Sequence, residues 1–371
     1  MKKIAHIVTT PVMAGAQKVC FDILSHLPES EFDKYLICGV DQYINNNDFF
    51  ERFSDIGVKV IKIPSLRRDI GLHDFRCIYD LFTMLKKNKF DIVHTHSTKP
   101  GIVARIAAKL AKVNLIIHTV HGIAFHRYEK SYKRIVYYTI ELFASLFGNQ
   151  IVTVNNNYIK YYKYIPFVSV RCIYNGVDFD SLRQCDNDID TKSDSLNVLF
   201  LARLDKQKNP IFLLKAVNRI AIDNTSIRDF KVTIVGDGPL LGECTRYVEE
   251  MNLNDIVEFK GWTNDVSLEF SQADIFCVPS NYEAFGLVFI EGAFFNLPSV
   301  STSVEGIPEV IVHNKTGVLC EPNDVEGLSE ALVLLINDND LRIKLGEAAK
   351  SHSSNFSIAK MVDGYIDCYN Q

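Results

Sequence analysis

No apolar run in the sequence reaches the 18 or so residues that a helix needs to span a bilayer. No Cys-x-x-Cys pair occurs among the nine cysteines. An odd number without close pairs argues against a disulfide framework or a zinc site, and fits reduced thiols in the cytosol. The N-terminus carries only the two leading lysines of a signal peptide, and His6, Thr9 and Thr10 interrupt the apolar run behind them, so a strand is expected there. No nucleic-acid-binding module is present, which argues against a nucleic-acid partner. With 47% hydrophobic and 23% charged residues, disorder is excluded as well.

What is present is length and a lopsided charge. At 371 residues the chain exceeds one ordinary core, and two domains are expected. The net charge of −5 conceals 24 Lys and Arg against 14 Asp and Glu up to Asn175, and 16 against 31 beyond it. A basic half joined to an acidic half suggests that the first half meets an anionic surface, with a membrane leaflet preferred. Within it, His126-Arg-Tyr-Glu-Lys-Ser-Tyr-Lys-Arg-Ile-Val-Tyr-Tyr138 interleaves cations with aromatics at helical spacing. That pattern suits an interfacial helix, or equally a solvated helix with a Tyr-rich core face.

Short apolar runs alternate with amphipathic stretches along both halves. Strands are expected at 4–10, 35–40, 58–63, 92–95, 115–120, 151–154 and 170–174, with helices at 17–26, 74–87, 101–111 and 131–147. After a polar linker over 180–195, strands are expected at 197–202, 232–235, 257–259, 275–279, 298–301 and 317–320. This is an α/β pattern: two doubly wound, Rossmann-like domains facing a cleft, each with a parallel sheet covered on both faces. The first spans 1–178, with a C-terminal helix over 357–371 packing back on it, and the second spans 179–356. Ligands in such sheets bind at the carboxyl ends of the strands.

The candidate site residues fall at those ends. Glu283-Ala-Phe-Gly-Leu-Val-Phe-Ile-Glu291 comes directly after a buried strand and opens a helix near Gly286. Free amides and the positive dipole end between two carboxylates suit a diphosphate flanked by ribose and hexose hydroxyls. The plain alternative is that Glu283 caps the helix and Glu291 is solvated. Arg203 and Lys208 share one loop and could stabilise the charge of a diphosphate leaving group without a metal, or be ordinary surface cations. Gly236-Asp-Gly-Pro239 allows a tight turn or close approach to a ligand. Leu241 stands where a dinucleotide fingerprint has its third glycine, so a dehydrogenase is a poor reading. Ala14-Gly15 turns between the first strand and its helix. His94 and His96 end a strand and are expected on opposite faces, hence not to ligate one metal together. His121 ends the next strand and serves either the cleft or buried backbone groups. Asp186-Asn-Asp188 resembles a metal-binding pair but sits in the linker, and no metal is expected.

Together, Gly15, His121, Arg203, Lys208, Gly236, Gly238, Glu283 and Glu291 resemble the retaining glycosyltransferases of family 4, which have the GT-B fold. Asn175-Gly-Val-Asp178 and Ser303-Val-Glu-Gly-Ile-Pro-Glu309 also match, so the resemblance covers nearly the whole chain. It implies that Glu291 binds ribose, and that Glu283 and the amides around Phe285, Gly286 and Leu287 hold the donor sugar. Arg203 and Lys208 would neutralise the diphosphate, Gly15 would let its loop approach it, and His121 would lie near the donor sugar and acceptor hydroxyl. Two departures are Ala14, where a Gly-Gly pair is usual, and Ile358, where relatives often carry Trp.

The expected activity is transfer of a hexose or N-acetylhexosamine from a UDP-sugar, with no cofactor and no metal. The acceptor would be an undecaprenyl-diphosphate-linked saccharide or other glycan of O-antigen, lipopolysaccharide or capsule synthesis. The expected location is the cytoplasm, peripheral on the inner face of the membrane. An epimerase or hydrolase of the same fold, or an inactive sugar-nucleotide-binding subunit, are the alternatives.

Overall fold

The computed structural model describes residues 1–40, 46–69, 71–182, 195–223 and 229–371. The Asp186–Asp188 segment, and most of the expected linker, lie outside the described residues. The chain divides into two compact units, Met1–Gly176 with Ile358–Gln371, and Val177–Ser357.

The first unit contains strands β1 (Lys2–Val8), β2 (Phe32–Cys38), β3 (Lys59–Lys62), β4 (Ile92–His96), β5 (Leu115–Val120), β6 (Gln150–Thr153) and β7 (Ser169–Cys172). They form one parallel sheet in the order β3-β2-β1-β4-β5-β6-β7. Alternate side chains feed two separate cores, as the period of two requires. Ile4, Val8, Leu36, Ile92 and Ile117 join one, beneath the helices Gly15–His26 and Ile358–Tyr369. Ala5, Ile7, Ile37, Val93 and Ile116 join the other.

The same alternation corrects the expectation for His94 and His96. Two residues apart on a strand means the same face, and their ring centroids lie 4.2 Å apart. His6 pairs in register with His94, and His96 with Thr119, so all four project into the core beneath the C-terminal helix. His118, one step out of phase, faces the other way and meets Thr95 Oγ1 at 2.9 Å.

Helix Asn47–Asp55 had no counterpart among the elements expected from the sequence. It buries Phe49, Phe50 and Phe53, an i, i+1, i+4 stripe short enough to pass for loop. Helix Ser131–Ser145 is turned inside out. Its buried residues are Glu141, Ala144 and Ser145, because Glu141 accepts from Nη2 of the fully buried Arg105 at 2.9 Å. Ser145 Oγ takes Nη1 at 3.2 Å. Tyr132, Ile135, Val136, Ile140 and Phe143 are left exposed on its outer side.

The second unit has β8 (Leu196–Leu201), β9 (Phe230–Val235), β10 (Val257–Gly261), β11 (Ile275–Cys277), β12 (Ser299–Thr302) and β13 (Gly317–Cys320). Their parallel order is β10-β9-β8-β11-β12-β13. Among the described residues, all thirteen strands match expected ones, with ends displaced by up to three residues, as where Phe32 rather than Tyr35 opens β2. In each unit the order reverses once, at β1/β4 and at β8/β11, and such a switch point opens a crevice at the strand ends.

Candidate active site

Two loops flank the second unit's switch point. The one after β8 carries Arg203 and Lys208, and the one after β11 carries Glu283. Asp205 organises the first. One carboxylate oxygen accepts from the backbone N–H groups of Gln207 at 2.9 Å and Lys208 at 3.0 Å, and the other from Arg203 Nε at 2.6 Å. Asn281 laces the loops together, donating through its backbone to Gln207 O at 2.7 Å and through its side chain to Lys206 O at 2.6 Å. Lys208 forms an ion pair with Glu283 across the gap. The Arg203 side chain is 70% exposed despite its contact with Asp205, so its guanidinium reaches solvent.

Gly286 begins the helix Leu287–Phe294 with φ +85, a left-handed conformation that an L side chain resists. A Cβ there would also come within 2.7 Å of the Phe289 ring. Phe285 is buried and meets Phe356 edge-on at 5.5 Å, which fixes the entry to the helix. Leu287 and Glu291, on the first and second turns, are half-buried. The amino end of this helix presents partial positive charge beside Lys208 and Glu283.

Gly236 and Gly238 are demanded by the protein's own packing. A Cβ on Gly236, which has φ +137, would lie 2.0 Å from Ala202 O, and one on Gly238 would lie 2.4 Å from Leu204 O. Leu204 N donates to Asp237 O at 2.9 Å, so the glycine loop buttresses the Arg203 loop.

In the first unit, Gly15 opens the helix after β1, and a Cβ there would meet nothing within 4 Å. No internal packing therefore demands glycine at this position. His121 comes just after β5. Its Nε2 hydrogen-bonds His96 Nδ1 at 2.9 Å, and its Nδ1 is buried without a partner. Burial pulls its pKa down to about 4, so the ring is neutral at pH 7. A small pocket beside it is lined by Ser97, His118, Phe125, Glu141 and Tyr162.

Of the residues expected from the sequence, Arg203, Lys208, Glu283, Gly286 and Glu291 assemble in one unit, and Gly15 and His121 lie in the other. Asp205 and Asn281 were not among them, although the Asp-x-x-Lys spacing of an Asx turn and a polar residue just past a buried strand signal both. Nor was His96, with His6 on its far side, expected as the partner of His121.

Residues 13–181 match the family described as Glycosyltransferase Family 4, and residues 185–352 match Glycosyl transferases group 1. An Escherichia coli protein named UDP-Gal:alpha-D-GlcNAc-diphosphoundecaprenol alpha-1,3-galactosyltransferase is 33% identical, over 99% of this chain and 96% of that one. A Campylobacter jejuni alpha-1,4-N-acetyl-D-galactosaminyltransferase, named for a GalNAc-containing PP-undecaprenol acceptor, is 26% identical over 99% and 98%. Among solved structures, the Anabaena protein Alr3699/HepE in complex with UDP and glucose aligns over 100% of both chains. Its TM-score is 0.82 at 17% identity, a likeness of fold. Two parallel-sheet Rossmann-like units with this order of elements are the GT-B fold, and the chain belongs to glycosyltransferase family 4.

Proposed function

We propose that the protein is a retaining hexosyltransferase that uses a UDP-sugar and extends an undecaprenyl-diphosphate-linked saccharide in the synthesis of a surface polysaccharide. The carrying observation is the second unit's cluster of two cations, two carboxylates and one helix amino end around a single switch point. The names of the E. coli and C. jejuni relatives support the lipid-linked acceptor.

In this reading Glu291 holds the ribose. The amides of Phe285, Gly286 and Leu287, with Glu283, hold the transferred sugar. Arg203 and Lys208 face the diphosphate, and Lys208 exchanges its contact with Glu283 for phosphate oxygens when the donor binds. The acceptor hydroxyl attacks the anomeric carbon on the face from which UDP departs. Its oxygen forms the new bond, the bond to the phosphate oxygen breaks, and that oxygen takes the hydroxyl proton. Fixed cations and amides stabilise the departing charge, so no divalent ion is needed.

The test is transfer from a panel of UDP-sugars to GlcNAc-diphosphoundecaprenol in excess EDTA. One donor should turn over undiminished by the chelator. No transfer from any UDP-sugar, or transfer lost in EDTA and restored by magnesium or manganese, would overturn the reading.

The acceptor is a lipid, and the inside-out helix Ser131–Ser145 suits a membrane surface of anionic lipid. Arg127, Lys130, Lys133 and Arg134 supply the charge, at about 1 kcal/mol each near such a surface. Exposed Ile135, Val136 and Phe143 add insertion of about 1.5–3 kcal/mol per side chain when fully buried. The protein should sediment with phosphatidylglycerol vesicles at low salt and lose most binding when the four cations become Ser. Equal sedimentation of the quadruple variant would leave the helix an ordinary surface.

A further inference from the structure

The core beneath the C-terminal helix contains a line of polar groups that the transfer chemistry does not use. His6, His94, His96, Thr119, Tyr365 and Tyr369 are each at most 1% exposed. They connect end to end. His121 Nε2 meets His96 Nδ1 at 2.9 Å, and His96 Nε2 meets His6 Nδ1 at 2.9 Å. His6 Nε2 meets Tyr369 Oη at 3.1 Å, and Tyr369 Oη meets His94 Nδ1 at 2.7 Å. His94 Nε2 then meets Thr119 Oγ1 at 2.7 Å, and that oxygen meets Tyr365 Oη at 3.0 Å.

A neutral imidazole has one N–H and one bare nitrogen, so between two partners it donates on one side and accepts on the other. Burial keeps these rings neutral: His6 titrates near 3, and His94 and His96 well below the usual range. The hydroxyl of Tyr369 likewise passes a hydrogen bond onward, and burial raises its pKa well above the usual range. Direction therefore propagates. If His121 donates from Nε2, then His96, His6 and His94 must each donate from Nε2. If Tyr365 and Thr119 send the bonds the other way, every ring donates from Nδ1. His6 Nδ1 has one side contact, the weakly hydrogen-bonding Cys20 Sγ at 3.5 Å; otherwise any other arrangement leaves a buried donor or acceptor in the line without a partner, at a cost of about 1–3 kcal/mol.

We infer that His6, His94, His96 and His121 are locked in one shared tautomer, and that Tyr369 is a positioning residue that couples His94 to the other three. The unpartnered Nδ1 of His121 is the open end of this ladder. Whether it accepts from or donates to a substrate hydroxyl is then decided jointly with a tyrosine on the C-terminal helix. This consequence rests on the proposed role of His121 beside the substrate, whereas the shared tautomer does not.

One competing arrangement is a metal ion held by His6, Cys20 and His96, whose ligand atoms lie within 4.8 Å of one another. It predicts a different proton pattern. Ligation through His6 Nδ1 and His96 Nε2 would put the protons on His6 Nε2 and His96 Nδ1, two different tautomers.

The experiment is long-range 15N–1H correlation on the full-length protein with 15N-labelled histidine at pH 7.5, together with metal analysis. The expected result is the same protonated nitrogen, all Nε2 or all Nδ1, in His6, His94, His96 and His121. In Tyr369→Phe, His94 should no longer share the tautomer of the other three or should populate both forms, and kcat should fall severalfold with donor KM little changed. Mixed tautomers in the wild type, with or without a stoichiometric metal, overturn the ladder, and that measurement requires no variant to fold. An unchanged His94 and His121 in folded Tyr369→Phe overturns the coupling. A shared tautomer with wild-type transfer by His121→Ala supports the ladder and removes His121 from the substrate.

Discussion

Replacing Arg203 or Lys208 with Ala should lower kcat by about 10²–10³-fold, the usual consequence of removing one fixed donor from developing charge. In the proposed reaction UDP leaves carrying negative charge that its bound ground state does not fully express, so the loss should appear in kcat more than in donor KM. The two variants should differ in stability. The Arg203 side chain is 70% exposed, and its loss should leave the unfolding midpoint unchanged. Lys208 and Glu283 are only 19% and 12% exposed, so Lys208→Ala strands a part-buried carboxylate. The double variant Lys208→Ala/Glu283→Gln should regain stability and not turnover. Steady-state kinetics and urea unfolding on the same preparations check this, and both single variants within a fewfold of wild-type kcat would refute the phosphate clamp.

The first unit should lose its fold in mild acid. His6 and His121 are pushed down to about 3 and 4, and His94, His96 and His118 also lie well below the usual histidine range, all chiefly by burial. Above pH 6.5 neither state binds these protons and stability is complete. As pH falls from 6.5 towards 4 the unfolded chain takes them up and the folded one does not, so stability is lost across that window. Each group contributes about 1.4 kcal/mol per pH unit, and five together approach about 7. A domain has about 5–15 kcal/mol in all, so the unit should open near pH 5. Hydrogen exchange at β4 and β5, corrected for intrinsic rates, should reveal it, with β9 and β12 as the internal comparison. Protection of β4 and β5 unchanged from pH 7.5 to 5 would mean that the cluster carries charge or is hydrated.

Strand positions were legible because each strand is a short apolar run closed by polar or glycine residues, and burial on both faces erases any ambiguity about phase. The placement of Arg203, Lys208 and Glu283 in loops past strand ends was legible as well, since position at a strand's carboxyl end needs no knowledge of neighbours. The histidine line was harder. Its members come from β1, β4, β5, the residue beyond β5 and the C-terminal helix, and nothing local announces that His6 stands in register with His94. Strict alternation would have put His94 and His96 on one face, and that single step leads to the rest. The inside-out helix was hidden for another reason. An apolar stripe at helical spacing normally faces the core, and only the buried Arg105 reverses it by drawing Glu141 inward.

The helix Ile358–Tyr369 completes a core whose other members all precede Gly176, and about 180 residues of the second unit intervene. A ribosome adding roughly 10 residues per second takes on the order of 20 s to cover that distance. Throughout that interval His6 and His94 lack Tyr369, and the apolar surface around Ile4, Val19 and Ile23 lacks its cover. The second unit, contiguous in sequence, faces no such delay and can finish while the first is still waiting. Synthesis order and assembly order are therefore reversed for this chain, and the amino-terminal half is the part that a chaperone or a protease meets unfinished.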